Sequence, residues 1–216
     1  MSDSANRKEN RNGTPEEEIA DENIRNFITS LQKIHKDFKL ISTDIIVVSE
    51  WVRFKCRYGC PAFGQRLSCP PFSPTPEETR RLLAEYKTAV LVHSQTSPDP
   101  DFTPEQSRQH IKECRVKLHT AIIEMERVAF LLGYYKALAM GANPCALCDT
   151  CVIKESNISK IDDFSTLDCR HRDIMRPPMD AFGIDVFQTV KNAGYSIRVL
   201  KSYTDVADLY AMVLII

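Results

Sequence analysis

Glycine is scarce in this chain, with seven in 216 residues, and tryptophan occurs once. So few glycines leave little room for a phosphate cradle, and no GxGxxG or GxxxxGKS/T run is found. The GxSxG and HExxH signatures are missing too, which removes the common hydrolase and zinc-protease readings. An excess of one charge is also lacking: 28 Lys+Arg face 29 Asp+Glu, for a formal net charge of −1. That balance offers no electrostatic reason to expect nucleic acid or an anionic membrane as the main partner. The longest apolar run, residues 211–216, is too short to cross a bilayer. The opening MSDSANRKENRNGTPEEE has no apolar stretch of the secretory kind. The remainder, 43% hydrophobic and 26% charged, is that of an ordinary globular protein. A chain of this length buries about 70% of its unfolded surface, enough for one sizeable core.

What the chain has in excess is cysteine, eight in all. Disulfide frameworks belong to small exported domains, and seven of these eight sit in two tight groups at metal-ligand spacing. The expected setting is the cytoplasm, where thiols stay reduced.

Residues 1–13 carry no apolar periodicity and are expected to form a disordered tail, leaving 14–216 as one metal-binding domain. A single start signal then recurs three times, as Thr14-Pro15-Glu16-Glu17, Thr75-Pro76-Glu77-Glu78 and Thr103-Pro104-Glu105-Gln106. Each places a capping hydroxyl, a helix-starting proline and an acid or amide at the third helical position. Helices are expected from the first to about Phe38, from the second to about Tyr86, and from the third to just before Gly133. A fourth follows Pro177-Pro178, carries Met179, Phe182, Val186 and Val190, and stops at Gly194. Short β-like runs lie at 41–48, 89–93, 134–139, 196–200 and 210–215, the last two forming an antiparallel edge. Alternating helices and strands predict an α/β or α+β layered sandwich with a mixed sheet. The cysteine-rich stretches, 51–74 and 141–178, fall outside the periodic pattern and are expected as loops.

Cys145, Cys148 and Cys151 form a CxxCxxC run, and Cys169 follows after seventeen intervening residues. Three thiolates from one tight turn converge on one point and a distant fourth closes the cage. Four thiolates suit a cubane iron–sulfur cluster or a structural zinc. The consecutive run favours iron–sulfur, because structural zinc usually takes two separated CxxC pairs. Three packed thiols without metal is the bland alternative. Cys56, Cys60 and Cys69 form a second group with no fourth cysteine nearby, and its spacing differs from that of radical AdoMet enzymes. It is a structural loop with incidental thiols, a site closed by a residue from elsewhere, or one with an open metal position.

Basic residues gather at both groups. Arg53, Lys55, Arg57 and Arg66 lie between Trp51 and Pro76 without an acid among them, and Arg170, Arg172 and Arg176 follow Cys169. Such cations lower thiolate pKa values and offset the charge of a thiolate-bound cluster, so Arg53, Lys55, Arg57, Arg66, Arg170 and Arg176 are the expected cofactor-side residues. A solvated basic face is the competing reading. Cys114 lies on an apolar helical stripe and is expected in the core. His171 is the best-placed nitrogen donor, while His35, His93, His110 and His119 show no ligand spacing.

The blocks VRFKCRYGCPAFGQRLSCPPFSPTPEETRRLLAEY, GANPCALCDTC and CRHRDIMRPPMDAFGIDV resemble an uncharacterised predicted metal-binding protein family of anaerobic bacteria and archaea. The resemblance covers about residues 40–216. It implies that Cys56, Cys60 and Cys69 are one ligand set and that Cys145, Cys148, Cys151 and Cys169 are another. It also implies that residues 176–181 are a family block, in which Pro178 and Asp180 depart from an expected small polar residue and Glu. The function expected is a cysteine-ligated metal protein holding one or two [4Fe-4S] clusters, with redox, electron-transfer or accessory duties in anaerobic metabolism. The competing functions are an iron–sulfur enzyme with an open cluster at Cys56, Cys60 and Cys69, and a zinc-stapled protein-interaction module. Expected partners are a redox protein or a small anionic ligand, not nucleic acid or membrane.

Strand direction bears on how the two groups relate. Parallel strands before them bring both cysteine loops to one sheet end, and antiparallel strands send them apart. Deleting residues 1–13, which hold no apolar residue beyond Met1 and Ala5, is expected to leave the melting temperature unchanged. A drop of several degrees on calorimetry means that the tail docks on the core.

Overall fold

A computed structural model describes residues 15–155, 164–202 and 204–215, with side chains from residue 23 onward. The tail expected at 1–13 lies outside these residues. The elements run α1 (Pro15–Ile34), β1 (Phe38–Ser42), α2 (Glu50–Gly59), α3 (Pro76–Leu83), β2 (Thr88–Gln95), α4 (Pro104–Leu131), β3 (Leu138–Met140), α5 (Val152–Glu155), α6 (Val186–Asn192) and β4 (Asp208–Leu214). This is an α+β fold around one four-stranded sheet, ordered β1-β2-β4-β3. Among the described residues, no helix is long and apolar enough to cross a membrane.

Two of the recurring caps fold as their chemistry dictates. Thr75 accepts from the Glu78 amide while Glu78 reaches back to the Thr75 amide, and Thr103 and Gln106 do the same. Each pair satisfies two of the donors that a helix start leaves open. From there α4 carries Leu118, Ile122, Met125 and Ala129 at helical spacing, and all four are buried. They pack with Phe27 and Leu31 of α1 against Val90, Val92, Leu209, Ala211 and Val213 on one face of the sheet. The opposite face presents Ala89, Leu91, Tyr210, Met212 and Leu214, covered by Met179, Phe182, Ile184 and Val190. Strand β4 is therefore buried on both sides, each large aliphatic contributing about 1.5–3 kcal/mol.

Several expectations change. The sheet is antiparallel in every strand pairing rather than mixed. The run 196–200 forms no strand: β4 is already flanked by β2 and β3, so no edge of β4 remains for a hairpin partner. Strand β1 stops at Ser42, whose hydroxyl accepts from the Asp44 amide at 3.2 Å and starts a 3-10 turn, Thr43–Ile45. The run at 134–139 yields only β3. The fourth helix splits in two at Gly183, which takes φ 81°. A Cβ there would lie 2.8 Å from Pro76 Cγ, so both the backbone sign and the close approach demand glycine. A 3-10 turn, Met179–Phe182, precedes the break, and Asp185 caps α6 after it. The stretch at 51–74, expected as a loop, opens inside α2.

One polar cluster ties the strands near their ends. His93 on β2 is buried, with Nδ1 2.7 Å from Asp37 Oδ2 and Nε2 2.9 Å from Asp208 Oδ1. Tyr195 donates to Asp37 at 3.0 Å and Gln95 to Asp208 at 2.9 Å. Burial pushes both carboxyls up, but the hydrogen bonds and the His93 charge outweigh it and hold both below the usual range. A carboxylate so shifted stabilises the fold above its unfolded pKa, and that stabilisation is lost as pH falls through the folded value. Asp208→Asn is expected to cost about 1–3 kcal/mol at neutral pH. Urea unfolding followed downward below pH 4 is expected to bring mutant and wild type together; a gap that persists there contradicts the ionic account.

Candidate metal centre

Beyond β3 the chain leaves the sheet at Gly141, whose amide donates to Pro177 O at 2.9 Å. Asn143 then turns it with φ 58°, a left-handed conformation that asparagine tolerates better than most residues. The CxxCxxC turn that follows rests on α4: Arg115 donates to Pro144 O, and Lys112 pairs with Asp149. Cys145, Cys148, Cys151 and Cys169 line one small cavity together with Arg66, His171 and Met175. The four thiols predicted as one set are thus brought together by the fold. Backbone N–H groups two residues on donate to two of the sulfurs, Leu147 to Cys145 and His171 to Cys169. Such hydrogen bonds lower the cost of holding sulfur as thiolate and tune a bound metal. Burial and neighbouring thiols nevertheless push Cys145 and Cys169 above the ordinary thiol range. A bound cation reverses that balance and releases protons.

The second group starts on a helix. Cys56 is buried on the inner face of α2 one turn beyond Val52, and Cys60 follows one turn later at the helix end, its amide 3.3 Å from Cys56 O. Gly64, at φ 64°, donates to Pro70 O at 2.8 Å, which folds the loop back and returns Cys69 toward the first two. Burial, followed by the Asp180 charge and Cys60, pushes Cys56 up to about 11 against the pull of Arg53 and Lys55. Cys69 is pushed up to about 12, mainly by burial. The expected lowering by basic neighbours is present but smaller than desolvation. Among the described residues, no three His, Cys, Asp or Glu side chains already meet at the geometry of a single bound ion.

The basic residues fall into distinct places. Arg53 donates to Ser73 Oγ and Ala181 O through Nη1 and to Ser73 O and Pro74 O through Nη2, at 2.6–3.1 Å. Arg66 donates to Cys145 O at 2.6 Å and so joins the two cysteine segments. Arg176 forms a largely buried pair with Glu126 on α4, and Arg170 pairs with Glu155. Lys55 and Arg57 are exposed on α2, and Arg172 is exposed beyond Cys169. His171 lines the four-thiol cavity, whereas buried His119 donates from Nε2 to Ile174 O at 2.7 Å. Cys114 packs partly buried beside the α4 core, 3.6 Å from the His110 ring. Arg115 was not legible as a site residue, being one cation on a long mixed helix. In three dimensions its charge reaches Arg66, Cys145, Cys69 and Asp180, which places it between the two thiol groups.

The cysteine segments thus meet although β1 and β3 are antiparallel and occupy opposite edges of the sheet. Strand direction does not decide their placement, because α2 and the 60s loop carry the first group across to the second.

An α+β fold that gathers cysteine side chains at the junction of two irregular segments defines a thiol-rich, metal-type site. The chain belongs to a family described as predicted metal-binding protein (DUF2284), whose model matches residues 39–215. No curated protein and no solved structure matches it.

The Arg66 bond is the direct tie between the two segments. Arg66→Ala is expected to speed loss of bound metal to a chelator roughly tenfold, while Arg57→Ala, on the exposed side of α2, leaves the rate unchanged. Equal rates for both variants and wild type would remove Arg66 from the site's architecture.

Proposed function

We propose that Cys145, Cys148, Cys151 and Cys169 hold a [4Fe-4S] cluster and that the protein serves electron transfer or a related redox duty in the cytoplasm. The observation that carries this is the single cavity lined by all four thiols, two of them receiving backbone N–H groups. A cubane takes one thiolate per iron, so its ligands surround a volume, whereas one zinc needs four sulfurs ~2.3 Å from a common point. When bound, such a cluster supplies reversible one-electron transfer at a potential set by its surroundings. The chain's own part is to hold the sulfurs and limit water: Leu147 and His171 direct N–H groups at them, Leu67 and Met175 cover the cavity, and Arg66 fixes the Cys145 carbonyl. A redox partner protein or a small anion fits the basic surroundings.

Purification without oxygen, followed by iron, acid-labile sulfide and zinc analysis, tests the reading. Iron and sulfide in equal amounts, with a broad visible absorption, are expected; colourless protein with stoichiometric zinc overturns it. Cys148→Ser is expected to abolish metal at this site and reduce soluble yield, since metal binding here is partly folding energy. Cys114→Ser is expected to retain it. Equal metal loss from the two variants contradicts the assignment.

A further inference from the structure

The Cys56 group lacks a fourth cysteine, and the fold brings a different donor to it. Asp180 lies in the 3-10 turn Met179–Phe182, which two bonds pin near α2: Arg53 Nη1 and Ser73 Oγ both donate to Ala181 O at 2.8 Å. The Asp180 carboxylate accepts from its own amide and that of Ala181, and it lies in electrostatic range of Cys56 and Cys69. Cys56, Cys60 and Asp180 line a cavity of about 700 Å³ together with Lys55 and Arg115. That volume is within the usual range of small-molecule sites, about 300–1,000 Å³. The rest of the lining is mainly apolar, with Ile184, Val186 and Leu209 among it, and includes Asp185, Arg198 and Asp208. Arg115 brings an unanswered donor: its Nε is buried without a hydrogen-bond partner. A buried guanidinium N–H left unpaired is costly and points to an anionic group that completes it.

We propose that Cys56, Cys60, Cys69 and Asp180 form a second metal centre with three thiolates and one carboxylate, and that Arg115 and Lys55 hold a small carboxylate ligand with an apolar tail beside its oxygen corner. The donors are neighbours that the metal draws together, Cys60 at the helix end being the freest to move. Three soft thiolates retain the metal, while the harder carboxylate is the exchangeable corner and faces the cavity. The two cations offset charge that the metal alone leaves on four anionic donors. This centre goes beyond the four-cysteine site and stands or falls separately from it.

Cobalt(II) titration of the full-length, reduced, metal-free chain tests the proposal, because thiolate-to-cobalt absorption reports each site. Wild type is expected to bind two equivalents, Cys148→Ser losing one and Cys60→Ser the other. Asp180→Asn is expected to weaken the second equivalent by about tenfold or more. Asp180→Cys is expected to restore it with stronger thiolate absorption, which a merely structural aspartate would not allow. A single equivalent in wild type, or an Asp180→Asn titration identical to wild type, overturns the second centre. Loss of no equivalent in Cys148→Ser counts against the four-cysteine site alone. Butyrate, a carboxylate with a short apolar tail, is expected to shift the cobalt bands of the second equivalent, with Lys55→Met raising the half-saturating concentration severalfold. An unchanged spectrum at saturating butyrate overturns the ligand assignment.

Discussion

A chain segment without helix or strand can be buried only when its carbonyls find donors, and around the thiol groups arginines supply many of them. Arg53 reaches the carbonyls of Ser73, Pro74 and Ala181, Arg66 that of Cys145, and Arg115 that of Pro144. An orphaned buried carbonyl costs about 1–3 kcal/mol, so losing one of these side chains disturbs several places at once. Guanidinium suits the task because its fixed fork serves two or more acceptors from one stem. The cysteine-bearing segments are thereby stitched to α2, to α4 and to each other without a further strand.

The same burial sets the chemistry of the sulfurs. Desolvation is the largest influence on Cys56, Cys69, Cys145 and Cys169, and in each it raises the thiol. Neighbouring thiols act in the same direction, as does Asp180 at Cys56 and Cys69, and basic side chains offset this only in part at Cys56 and Cys145. These four thiols therefore favour the neutral form until a cation is present. Metal affinity and the integrity of these segments are therefore one quantity, as they are in other sites built from thiolates.

The sheet divides the molecule into two unlike layers. On one face α1 and α4 lay regular apolar stripes, which suits a stable support. The other face is covered by short turns, α3 and α6, whose irregular backbone can bend around a cavity. Functional groups sit at the margin of that second layer, positioned by the rigid one: Arg115 and Lys112 extend from α4 to the Cys145 turn.

Local chemistry was legible directly. The Thr75 and Thr103 boxes, the α4 stripe and the apolar runs of β2 and β4 depend on neighbours within a few residues, so spacing alone determined them. The grouping of Cys145, Cys148 and Cys151 was legible for the same reason, with the family match supporting a metal role for the chain as a whole. Helix α2 was hidden because its exposed Trp51, Phe54 and Tyr58 blur the apolar pattern that marks a buried face. Strand order, the loss of a strand at 196–200 and the break at Gly183 rest on which edges and surfaces are free after the sheet assembles. Arg115, and the approach of Asp180 to Cys56, were legible only in three dimensions, since each stands far along the chain from the cysteines it faces. Sequence fixes what a residue can donate or accept, but only the folded chain decides which partners come within reach.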